Sequence, residues 1–169
     1  LILLSDANVL IDLGYVDGLS VLRQLGTVEV LDVVFDECCH PRQPDLPEAI
    51  LRWRGSANAA AGIQTVIVTQ EWAFLARSYQ QGALSFQDAL CLYYAKTYQR
   101  LLLTNEKPLR NFCQEQQVPV HGTLWVIQSV YERQLLDAAI LCEWLAILSR
   151  HNQRLSKAEV SVLRQLLGC

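Results

Sequence analysis

Five short runs of apolar or β-branched residues recur along the chain: LILLSD at 1–6, VEVLDV at 28–33, QTVIVT at 64–69, RLLLT at 100–104 and VPVH at 118–121. Each is ended by polar or turn residues, which is how a buried strand reads, and helical stretches separate them. Strands that alternate with helices need crossover connections, and a parallel sheet supplies them. The pattern predicts an α/β domain with a mainly parallel central sheet. The helical stretches run from Asn8, through VDGLSVLRQLG to Gly26, through LPEAILRWRGSANAAAG, over 70–82 and 86–100 around a GALS turn, and along NEKPLRNFCQEQ and TLWVIQSVYERQ. Thr123 is a candidate cap for the last of these. FDECCH joins a short helix, and HPRQPDLP, with three prolines, is a loop. DAAILCEWLAILSR and SKAEVSVLRQLLG complete the chain, the latter with a Ser156–Glu159 capping-box pattern.

At 169 residues, half of them apolar and 18% charged, the chain suits one folded domain rather than a disordered segment. A net charge of −3 and a pI near 5.6 exclude a global basic field that would hold nucleic acid by its backbone alone. No long basic groove for structured DNA is visible either. No apolar run approaches the roughly 20 residues of a membrane span, and no basic stretch precedes the first apolar residues, so neither membrane insertion nor a secretory signal is expected. Six cysteines, at 38, 39, 91, 113, 142 and 169, show no CxxC or Cys/His ligand spacing. Reduced thiols in a cytoplasmic protein are the expectation.

In a parallel α/β sheet, ligands gather outside the carboxyl ends of the strands. Asp6 ends the first run, Glu37 follows the second, Asp88 begins the helix after the GALS turn, and Glu106 lies just beyond the fourth. Brought together, four carboxylates would hold Mg²⁺ or Mn²⁺, hard cations that prefer oxygen. One or two such ions promote phosphodiester hydrolysis by polarising the phosphoryl group, lowering the pKa of water and balancing charge on the leaving oxygen. Each acid also has an ordinary use. Asp6 in SDAN suits a helix cap, Asp88 and Glu106 suit the N-termini of their helices, and Glu37 beside Asp36 suits surface charge. The residues alone leave both uses open.

Taken together, SDANVLID at 5–12, VVFDECCHPRQP at 33–44, LSFQDALCLYYAK at 84–96, LLLTNEKPLR at 101–110 and HGTLWVI at 121–127 resemble the PIN-domain family of metal-dependent nucleases, in particular its VapC-like bacterial branch. The resemblance puts Asp6, Glu37, Asp88 and Glu106 at the four acidic positions, with Asn8 and Thr104 in support. It implies a PIN-like three-layer α/β/α sandwich over residues 1–133, with 134–169 as a C-terminal helical extension packed on the same domain. It further implies a Mg²⁺- or Mn²⁺-dependent endoribonuclease acting on single-stranded RNA. Many VapC-like members are toxins restrained by an antitoxin protein, and many form homodimers. Asn105 stands where glycine is common, and Glu106 is one methylene longer than the aspartate of the pattern. Those departures motivate an alternative, a weakly active or inactive PIN-fold interaction module.

Lys107 and Arg110 beside the fourth acid, and Arg42, Arg52 and Arg54 after the second, are candidate phosphate contacts or solvated helix-face residues. Trp53 suits either base stacking or packing on the sheet. His40 and His121 read as turn or packing residues, since four carboxylates and a metal need neither. Leu135, Leu136, Ala139, Ile140, Leu141, Trp144, Leu145 and Leu148 form an apolar helical pattern that either completes the core or makes an oligomer surface.

Overall fold

The computed structural model describes residues 1–39, 44–52 and 62–169. His40, Arg42, Trp53 and Arg54 lie outside the described residues. Leu101–Leu103 and the other short apolar runs pair into a five-stranded sheet: β1 (Ile2–Ser5), β2 (Thr27–Leu31), β3 (Ile63–Val66), β4 (Leu101–Leu103) and β5 (Val120–His121). Its order is β3-β2-β1-β4-β5 and every pairing is parallel. Leu4 of β1 sits in register between Glu29 of β2 and Leu102 of β4. Helices flank the sheet, and its central strands read as mainly apolar runs because Leu3, Leu4, Val28, Val30, Leu102 and Leu103 are fully buried; β2 also carries the buried Glu29, and Gln64 and Thr65 of the outer β3 are half-buried. Each fully buried apolar side chain contributes roughly 1.5–3 kcal/mol relative to exposure.

The helices are α1 (Ala7–Tyr15), α2 (Leu19–Leu25), α3 (Asp32–Glu37), α4 (Leu46–Arg52), α5 (Gln70–Ala76), α6 (Phe86–Tyr98), α7 (Lys107–Glu115), α8 (Thr123–Glu132), α9 (Ala138–His151) and α10 (Lys157–Leu167). From β1 the chain builds outward through β2 and β3, then returns to the other side of β1 as β4 and β5. The order therefore reverses between β1 and β4, and the crevice at that reversal is where such sheets bind ligands. Asp6 and Thr104 follow those two strands.

The strands are shorter than the sequence reading: β4 takes only Leu101–Leu103 of RLLLT and β5 only Val120–His121 of VPVH. β2 stops at Leu31, and Asp32 and Val33 already belong to α3. The Asp32 carboxylate accepts from the N–H groups of Val33 (2.8 Å) and Val68 (3.2 Å), which ties the start of α3 to the segment after β3. β3 stops at Val66, where β2, its only strand neighbour among the described residues, has ended at the paired Leu31. Thr69 then caps α5, accepting from Trp72 N–H at 3.1 Å. At α8 the cap is Gly122 rather than Thr123, whose side chain is buried.

The C-terminal helices pack on α8 and α1. Of the apolar pattern, Leu141, Trp144, Leu145 and Leu148 are buried and Leu135 and Leu136 half-buried, whereas Ala139 and Ile140 are exposed, so α9 gives only part of its apolar face to the core. The cysteine expectation is corrected in part. Cys142 of α9 and Cys169 after α10 form a disulfide, whereas Cys38, Cys39, Cys91 and Cys113 are free. The pair is 27 residues apart in sequence with no motif around it, and only the packing of α10 against α9 brings it together. Among the described residues no helix is long and apolar enough to cross a membrane. At the start of β4, away from the crevice, Arg100 pairs with the buried Glu29 through two nitrogens at 2.9 and 3.2 Å.

Candidate active site

Asp6 leaves β1 and caps α1. Its backbone N–H donates to Leu103 O (3.0 Å), continuing the β1–β4 pairing, and its Oδ1 accepts from Val9 N–H (3.0 Å). The hydroxyl of buried Thr104 donates to Asp6 Oδ2 and accepts from Glu106 N–H at 3.1 Å. Thr104 thus couples the end of β1 to the start of α7. Glu106 is the N-cap residue of α7, yet its side chain does not cap the helix. Its Oε1 turns back to accept from Asn8 Nδ2 (2.8 Å) and from Arg154 Nε (3.1 Å). Arg154 Nη1 also donates to Asn8 Oδ1 at 3.1 Å. Asn8, Glu106 and Arg154 therefore hold one another in a closed triangle.

Asp88 lies in the first turn of α6, where it forms a reciprocal capping box with Ser85: Asp88 N–H donates to Ser85 Oγ (3.1 Å), and Ser85 N–H to Asp88 Oδ2 (3.0 Å). Glu37 ends α3 and stays open to solvent. The four acids nonetheless share one field. Burial pushes the Asp6 carboxyl up to about 7; the Thr104 hydroxyl and Val9 N–H oppose this, and the charges of Asp88 and Glu106 add to it. Partial desolvation and then the same two charges raise Glu37. Burial chiefly, with Asp6 next, pushes the Cys38 thiol up to about 12. Cys91 is raised by burial first, then by Asp6 and Asp88. Both thiols stay protonated at the back of the cleft, so neither serves as a nucleophile.

Among the described residues no group of three or more His, Cys, Asp or Glu is arranged to hold a metal ion. By donor chemistry the four acids fit a hard divalent cation: all ligands are oxygen, and their mutual repulsion is what a cation relieves. Arg154 occupies one Glu106 oxygen and supplies part of that compensation.

Behind the acids is a buried polar network that sequence reading missed. Asp12, 4% exposed, accepts at Oδ2 from Asn105 Nδ2 (2.8 Å), Thr123 Oγ1 (2.7 Å) and Asn152 Nδ2 (2.7 Å). Asn105 also accepts at Oδ1 from Thr123 N–H (3.0 Å). Asn105, a departure from the family pattern, thus joins β4 to α1 and α8. The one local signal was an aspartate inside the apolar run VLIDL, because a buried acid needs donors. Asn152 lies 140 residues along the chain from Asp12, and Arg154 lies 146 from Asn8 and far from Glu106 as well, so neither carried a local signal.

Gly122 closes this region. A Cβ there would stand 2.5 Å from Asn105 Oδ1 and 2.8 Å from Arg110 Nη1. Gly122→Ala is expected to lower stability by about 1–3 kcal/mol, and a urea midpoint equal to wild type would contradict the close approach.

Of the remaining candidates, Lys107 is exposed at the start of α7, and Arg110 donates to Thr104 O at a long 3.5 Å. Arg52 lines a cleft with Gly14 and Tyr15 at the far end of α1 from Asp6, so it is not brought to the acids. His121 stacks on Trp125 (4.6 Å between centroids), and burial, then Arg110, lowers its pKa; this is the packing role expected of it.

None of the curated proteins compared with this chain matches it. A PilT N-terminus domain protein from the hyperthermophilic archaeon Sulfolobus solfataricus P2 is similar in structure, with a TM-score of 0.54 and 11% identity over 76% of this chain and 92% of that one. At that identity the likeness shows the fold. The model of the family DUF3368, described as PIN domain, matches residues 2–168. With nearly the whole chain matched and the sheet order and crevice in place, the chain belongs to the DUF3368 family of PIN domains.

Proposed function

We propose that this chain is a Mg²⁺- or Mn²⁺-dependent endoribonuclease that hydrolyses phosphodiester bonds in single-stranded RNA. We further propose that it is the cytoplasmic toxin of a VapC-like pair, with an antitoxin protein and a second copy of itself as partners. The observation that supports the reading is Asp6 and Glu106 joined through Thr104 beyond the ends of β1 and β4, where the sheet order reverses; the charges of Asp88 and Glu106, which raise Asp6 and Glu37, agree with it. A bound ion would supply charge neutralisation at the phosphate and an acidified water. Asp6, Glu37, Asp88 and Glu106 would hold it.

The chain's own residues divide the remaining work. Asp6 is pinned by Val9 N–H and the Thr104 hydroxyl, so its carboxylate cannot swing away from the crevice. Asn8 aims Glu106 toward the cleft. Glu37, open to solvent, is the acid best placed to orient or deprotonate an attacking water. Lys107, exposed at the start of α7, offers an ammonium to a substrate phosphate.

The Arg154–Glu106 ion pair favours a second reading, in which the cleft is internally neutralised and the domain serves as an interaction module. Mn²⁺ binding separates the two. Followed by loss of the free-ion paramagnetic signal, wild type is expected to bind, Asp6→Asn to bind at least about tenfold more weakly, and Arg154→Ala more tightly than wild type. Equal binding by wild type and Asp6→Asn would remove the four-acid site.

A further inference from the structure

The chain is acidic, but its charge is unevenly spread. Of 14 Lys and Arg and 17 Asp and Glu, residues 144–169 hold four cations (Arg150, Arg154, Lys157, Arg164) and one acid (Glu159). That leaves ten cations and sixteen acids elsewhere, so this segment is +3 and the rest −6. Folding gathers the positive charge into one place. A groove of about 690 Å³ runs between α9 and α10, lined among others by Arg150, Asn152, Leu155, Lys157, Val160 and Arg164. Among the described residues no carboxylate lines it. Arg154 pairs with Glu106, whereas Arg150, Lys157 and Arg164 stand in no ion pair among the described residues; Arg150 Nε donates to the Ala146 carbonyl at 3.1 Å. Their charged ends are exposed above a floor of buried Leu155 and Val160.

The groove is fixed to the acidic cleft by a single turn. Asn152, 9% exposed, lines the groove while its amide donates to Asp12. Its Oδ1 accepts from Arg154 N–H at 2.8 Å, and the Arg154 guanidinium lies against Glu106. The Cys142–Cys169 disulfide ties the two helices that form the walls.

We propose that this groove is a phosphate-binding subsite for single-stranded RNA, which leads the strand past Arg154 to the acids. The proposal deepens the nuclease reading above and rests on it for the direction of the strand. Three unpaired cations on two helices suit successive backbone phosphates, and the groove is larger than one phosphate requires. The apolar floor accommodates sugar and base edges without demanding a sequence. Arg154 stands between the groove and the acids: it follows Asn152 and Gln153 of the groove wall, and its guanidinium is held by Glu106 and Asn8.

The test is binding of a fluorescein-labelled single-stranded RNA of about 12 nucleotides, a length typical of such sites, by anisotropy in EDTA so that no cleavage intervenes. Lys157→Gln/Arg164→Gln is expected to weaken binding about tenfold. It is also expected to flatten the log–log salt dependence by about 1.4, for two lost phosphate contacts on a single strand. Arg150→Gln, a single exposed change, is expected to weaken binding in the same direction and serves if the double variant fails to fold. Wild-type affinity and salt slope in a folded variant would overturn the proposal, as would equal binding of poly-glutamate and RNA by the wild type. The two readings fail separately. Groove-dependent binding without Mn²⁺-dependent cutting would refute the nuclease and keep the groove. Cutting by wild type and double variant with the same KM would refute the groove and keep the nuclease.

Discussion

Asp12→Ala is expected to lower folding stability by about 3–5 kcal/mol, as breaking a buried network from its centre does. The substitution takes one acceptor from three donors, Asn105 Nδ2, Thr123 Oγ1 and Asn152 Nδ2. A buried donor left without a partner costs about 1–3 kcal/mol; the Thr123 hydroxyl can rotate to another acceptor, and the two amides have less freedom. Urea denaturation at neutral pH reads the change directly. The damage should also reach the cleft, because Asn152 positions Arg154 through its carbonyl. A loss below about 1 kcal/mol would mean that the network contributes little and that the C-terminal turn is held by apolar packing alone.

Asp6→Asn is expected to act in the opposite direction. Asp6 has an ordinary carboxyl pKa of 3.8, raised to about 7 in the folded chain mainly by burial. Between those values the folded state keeps a proton that the unfolded state has released. Stability from this group is therefore complete below pH 3.8 and is lost as the pH rises through 7. About three pKa units correspond to a cost on the order of 4 kcal/mol for the ionised form. Asparagine carries no charge, can accept from Val9 N–H and can donate to Thr104 Oγ. In the presence of a chelator it should raise the melting temperature by roughly 5 °C or more at pH 8, and by much less at pH 5. Equal melting curves at both values would show that the Asp6 carboxylate is not strained by its burial. A gain in stability on removing a buried acid is what a site held ready for a cation should give.

The sheet was legible because parallel strands buried on both faces are mainly apolar, and LILL, VEVL and RLLL announce themselves even with the Glu29–Arg100 pair inside two of them. Strand ends were less legible: β3 ends with its neighbour β2, a tertiary fact that QTVIVT does not carry. The acids stood out in the sequence only as an ordered set of candidates, because Asp6 and Asp88 also cap helices and each is locally explained by that use. Glu106 was the least explained by a cap, and the structure turns it away from its helix toward Asn8 and Arg154. The residues that brace the cleft from behind were not legible. Asn105 read as a departure from a motif, whereas its amide closes the Asp12 network. Asn152 and Arg154 sit in an ordinary polar turn, and only the return of α9 and α10 to α1 and α8 gives them partners. The disulfide has the same cause.

The most direct test of the four-acid site is cleavage of mixed single-stranded RNA and DNA probes by purified, partner-free protein in Mn²⁺ or Mg²⁺, with Asp6→Asn alongside. Metal-dependent cutting of RNA by wild type, reduced at least about a hundredfold in Asp6→Asn, is the predicted result. Equal cutting by both proteins, or no cutting by folded wild type with either metal, would contradict it.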